Sequence, residues 1–131
     1  MKNTILRKIL LIASIGLFSQ FAAAQDNSAN MAAAKQIADI VASLNHFPSD
    51  ADKATLGAIS GNSEIAQPLR EMASAVSDIQ HAATAEGKSA MAAIQELENM
   101  PDRGKTLAGI IANLNHTASA DAKAQIAQLY P

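Results

Sequence analysis

The chain contains no cysteine and no tryptophan, and aromatic residues make up 3% of its 131 positions. Each absence removes a class of function. Without thiols there is no disulfide framework, no thiolate metal centre and no cysteine nucleophile. Phe47 and Tyr130 are the only aromatics beyond residue 24. Single-stranded nucleic acid lacks its stacking platforms here, and sugars and quaternary amines lack the aromatic faces on which they usually rest. Basic charge is scarce as well. Of ten Lys and Arg, three (Lys2, Arg7, Lys8) fall at the very start, which leaves seven against twelve acidic residues and a formal charge of −5 past residue 24. A phosphate backbone needs a clustered basic face, so nucleic acid is not an expected partner.

The motifs of common catalysis are missing too. There is no G-x-S-x-G, no P-loop and no G-x-G-x-x-G. Glu96 and Glu98 stand two apart, which turns them to different sides of a helix. No enzyme and no cofactor is expected.

Long apolar runs are confined to the beginning. Residues 1–24 have a basic start, an apolar stretch from Ile9 to Phe18, and the small residues Ala22-Ala23-Ala24 before Gln25. That is the pattern of a cleavable signal peptide, too short in its apolar part for the roughly 20 residues of a membrane-crossing helix. The expectation is cleavage after Ala24, a periplasmic or secreted product, and no stable membrane insertion afterwards. The polar segment 25–30 has no buried-face pattern and is expected to be disordered.

What the chain does have is a period. His46, His81 and His116 are spaced 35 residues apart, and their surroundings recur with them: Leu44-Asn45-His46, Ile79-Gln80-His81, Leu114-Asn115-His116. Lys53, Lys88 and Lys123 follow each histidine by seven residues. A fixed period of this length marks stacked supersecondary units that bury their apolar faces against one another.

Within each unit the apolar residues sit at i, i+3, i+4 and i+7: Ile37, Ile40, Val41 and Leu44; Met72, Ala75, Val76 and Ile79; Leu107, Ile110, Ile111 and Leu114. That is one stripe of an α-helix. After each histidine comes a short break and then a hydroxyl residue, Ser49, Thr84 or Ser119, with acidic residues in the following turn. These are N-cap signals for a second, shorter helix carrying Leu56 and Ile59, Met91 and Ile94, or Ile126 and Leu129. Pro68 is placed at the first turn of the second long helix.

The expected fold is therefore all-α. Three tandem αα-hairpins of 35 residues, six helices in all, form a single domain over 31–131, with units near 31–61, 62–98 and 99–131. Two arrangements fit the pattern: a short open stack, or a compact bundle closed about a pseudo-threefold axis. In the stack, helix spacing of about 8–10 Å keeps the histidines apart. Only the closed form brings them together.

On the sequence alone the leading functional expectation is a non-enzymatic interaction module for an envelope protein or peptide, since stacked hairpins present a continuous helical surface. His46, Phe47, Pro48, Lys53, Lys88 and Lys123 are the candidate contacts. Two alternatives stand beside it. One is divalent metal binding through His46, His81 and His116, neutral imidazole being a common ligand for zinc, copper and nickel. The other is a carrier of a small apolar ligand, which requires a cavity of several hundred Å³ on the usual scale of such sites. The bland account of the histidines is that they end the long helices, with Asn45, Gln80 and Asn115 satisfying helix-end carbonyls.

Overall fold

The computed structural model describes residues 28–131, and among them the structure is helical with no strand. The leader 1–24 and its cleavage point lie outside the described residues. Six helices follow in order: α1 (Ser28–Ser43), α2 (Asp50–Ser60), α3 (Gln67–Ser77), α4 (Ala85–Gln95), α5 (Asp102–Ala112) and α6 (Ala120–Leu129). They form the compact bundle rather than the open stack. The long helices α1, α3 and α5 touch one another pairwise, as helices around a threefold axis must, and α6 returns to pack on α1. Each short helix thus lies against the long helix of the next unit, with the third closing onto the first.

The apolar stripes account for this arrangement. Residues 35 apart take matching places in the core: Ile37, Met72 and Leu107 are fully buried, as are Val41, Val76 and Ile111. Burying side chains of this size contributes about 1.5–3 kcal/mol each. Ala38, Ala73 and Ala108 are likewise at 0% exposure. A methyl at that position on all three long helices lets their axes approach closely.

The capping expectations hold. The hydroxyls of Ser49, Thr84 and Ser119 accept from the backbone N–H of Asp52, Gly87 and Ala122 at 3.1, 3.0 and 3.1 Å. Pro68 lies in the first turn of α3. One expectation is corrected. The disorder assigned to 25–30 does not extend to Ser28–Asn30, which open α1. Asn30 is completely buried, and its Oδ1 accepts from the Ala66 backbone N–H at 2.8 Å, just ahead of α3. A polar residue read as solvent-facing instead ties the start of one long helix to the start of the next.

The seam between α6 and α1 is sealed at the chain's end. Tyr130 is buried at 7% exposure, the Arg103 guanidinium lies 5.8 Å from its ring centroid, and Lys35 donates to its carbonyl at 3.4 Å. Burial raises the phenol above its ordinary value of 10.0, and Arg103 offsets part of the rise. The folded state thus favours the neutral phenol, so its contribution to stability is whole below that ordinary value and fades as pH climbs through the raised one. Alkaline unfolding followed by circular dichroism should show stability falling above about pH 10, with Tyr130→Phe removing that limb of the profile.

Candidate metal centre

The chain between each long helix and the next short one passes through the threefold axis at a histidine. His46, His81 and His116 have φ of 69, 71 and 67°, and no other described residue, glycine included, has a positive φ. L-residues avoid this region, and a residue there costs on the order of 1–3 kcal/mol and persists only where its surroundings impose it. The surroundings here are specific. The His46 N–H donates to the His116 carbonyl at 2.6 Å, the His81 N–H to His46 at 2.6 Å, and the His116 N–H to His81 at 2.5 Å. Three backbones close into one ring of hydrogen bonds.

Each turn is then pinned on both sides. Phe47 N–H donates to the Asn45 carbonyl and Thr117 N–H to that of Asn115, both at 2.8 Å, so His46 and His116 are the central residues of tight three-residue turns. Two residues before each histidine, Leu44, Ile79 and Leu114 are buried; two residues after, Pro48, Ala83 and Ala118 are buried as well. The chain dips into the core, surfaces for one histidine, and dips again.

The side chains converge as a result. Ring centroids are 5.2, 5.0 and 5.1 Å apart, and one ligating nitrogen from each ring lies within 4.8 Å of the other two. His81 and His116 are exposed and His46 is partly covered, so the cluster faces solvent. It is the one group of three or more His, Cys, Asp or Glu among the described residues that is close enough to share an ion. An equilateral triangle with 4.8 Å sides puts each corner about 2.8 Å from the centre. Zinc–nitrogen bonds are about 2.0–2.1 Å, so each imidazole needs to move inward by less than about 1 Å.

In two of the rings one nitrogen already has a partner. Asn45 Oδ1 lies 2.6 Å from His46 Nδ1, and Asn115 Oδ1 lies 2.7 Å from His116 Nδ1. An amide oxygen can only accept, so in the neutral ring Nδ1 carries the proton and Nε2 keeps its lone pair free for a ligand. Gln80, one methylene longer, makes no such bond to His81. Loss of partners of this kind typically costs 10–100-fold in metal affinity. An ion placed on the triad should therefore bind about 10–100-fold more weakly in Asn45→Ala and several-fold more tightly in Gln80→Asn, both measured by calorimetric titration.

The histidines do not end the long helices, which stop at Ser43, Ser77 and Ala112, three or four residues earlier. The helix-end carbonyls are met elsewhere, by the Ser43 hydroxyl and the Asn113 amide among others, and Asn45 and Asn115 serve the rings instead. Pro48 is buried and offers no contact surface, because the turn folds it inward. Phe47 is 58% exposed beside His46. Lys53, Lys88 and Lys123 are exposed on the short helices and outside the triad. The space nearest to a carrier's cavity is a surface groove of about 430 Å³ over Pro68, Ile94, Leu97 and Met100. Glu71, Glu96 and Glu98 also line it, and it is an open groove rather than an enclosed cavity. No family model, no curated protein and no solved structure matches the chain.

Proposed function

We propose that this protein binds one divalent transition-metal ion through His46, His81 and His116. The observation that carries the reading is that three of its residues take a strained left-handed backbone, that all three are histidines, and that their ring nitrogens meet within 4.8 Å. Glycine would occupy such turns at lower cost, and asparagine nearly as well. The repeat by itself accounts for three histidines; it is the meeting of their ring nitrogens within 4.8 Å that points to an ion. The leader supports a periplasmic or secreted setting, where a site of this kind would buffer or carry metal ions. Docking of an envelope protein, through the exposed Phe47 or the lysines, has no comparable convergence behind it.

An all-nitrogen donor set without thiolate or carboxylate suits copper, nickel and zinc over magnesium or calcium, and the usual affinity order puts Cu²⁺ ahead of Ni²⁺ and Zn²⁺, with Co²⁺ weaker. Only neutral imidazole ligates, so affinity falls as the solution is acidified. The test is titration of the mature chain with Zn²⁺, Cu²⁺ and Ni²⁺ in a calorimeter, alongside thermal unfolding. One equivalent bound with a raised melting temperature supports the reading. Heat of binding that is unchanged when all three histidines are replaced by glycine refutes it.

A further inference from the structure

The triad supplies three nitrogens from one side and no charge. Around it, the groups that orient the rings are the amides of Asn45 and Asn115 rather than carboxylates. Metal-bound histidines commonly donate their second nitrogen to a carboxylate or a carbonyl, and a carboxylate there brings negative charge close to the ion. None of the described Asp or Glu joins the cluster within ligand distance. A divalent ion seated on this face would therefore keep its full charge, as the largest local charge in the site. The solvent-facing side would remain open, since three protein ligands leave at least a fourth position.

Resting on the metal reading above, we infer that the loaded site is an anion receptor: it takes a small monodentate anion, of carboxylate or azide type, directly on the metal at the open position. The backbone ring on the axis makes this a matter of design rather than of vacancy. It fixes the three Cα positions around the axis, and no Asp or Glu among the described residues stands close enough to close the site. The two neutral amides then leave the charge for the incoming ligand to compensate.

Cobalt(II) serves as the probe, because its visible absorption reports coordination number and ligand type. The full mature chain is loaded with one equivalent of Co²⁺ and titrated with sodium azide and, separately, sodium acetate at constant ionic strength. A saturable spectral change with one anion per cobalt supports the inference. By reciprocity, acetate should tighten Co²⁺ binding by the same factor that Co²⁺ tightens acetate, on the order of tenfold. A cobalt-loaded protein whose spectrum and Co²⁺ affinity are unmoved by either anion overturns it, while leaving the metal site intact. Failure to bind cobalt at all overturns the metal reading instead. Sedimentation separates the sources of the anion: a loaded protein that self-associates and is dispersed by acetate takes a carboxylate from a second copy, and one that stays monomeric takes the free ion.

Discussion

His81→Ala is expected to abolish one-to-one metal binding, and His81→Gly is expected to do the same while yielding the more stable protein. The two variants remove the same ligand and so share the functional loss. Two imidazoles cannot replace three, and the drop should exceed the 10–100-fold that losing a mere ring-orienting partner costs. Stability separates them. At φ 71° an alanine Cβ meets the steric penalty that glycine escapes, so the glycine variant should unfold at higher denaturant by about 1 kcal/mol. If His81 were retained for the fold, the glycine form would be less stable than the metal-free parent. Chemical denaturation of the metal-free parent and both metal-free variants, with calorimetric titration of Zn²⁺ into each, decides the matter. Equal loss of metal, with the glycine variant at least as stable as the metal-free parent, assigns the histidine to binding.

Much of the fold is written in spacing that a single sequence displays. Ile37, Val41, Met72, Val76, Leu107 and Ile111 are at once the residues of the i, i+4 stripe and the fully buried layers around the axis. Ser49, Thr84 and Ser119 announce their caps by chemistry that acts within one turn. Local interactions of this sort leave local marks. The closure of the ring does not, because it depends on how each short helix meets the next long one, which is a sum over many contacts far apart in sequence.

For the same reason the convergence of the histidines stayed one alternative among several. Nothing in the spacing of 35 says whether three loops share an axis. The left-handed turns were harder still to read, since glycine is their usual marker and here it is absent. Asn45-His46 and Asn115-His116 pair residue types that are both enriched in that conformation. That pairing, repeated at the point where two helices join, was the available signal. Pro48 misled for a physical reason: a proline after a helix suggests an exposed turn, yet this turn runs inward toward the axis.

The core and the site are coupled, and the coupling gives the second large effect. Leu107→Ala empties a fully buried position in the layer it shares with Ile37 and Met72. Truncations of this kind cost about 2–5 kcal/mol, out of the total of about 5–15 kcal/mol typical of a whole domain. Each kcal/mol lowers the midpoint of a domain this size by about 4–8 °C, so Leu107→Ala should melt far below the parent. The histidines meet only when all three units are in place, because the ring of backbone bonds draws one donor and one acceptor from each. An ion held by that triad binds the folded chain in preference to the unfolded one, and at a free concentration 100 times Kd it returns about 2.7 kcal/mol. Zinc in that excess should restore much of what Leu107→Ala loses, and a chelator should take it away again. The double variant Leu107→Ala, His81→Ala should gain nothing from zinc. Rescue that persists in the double variant would mean that the metal acts somewhere other than the axis.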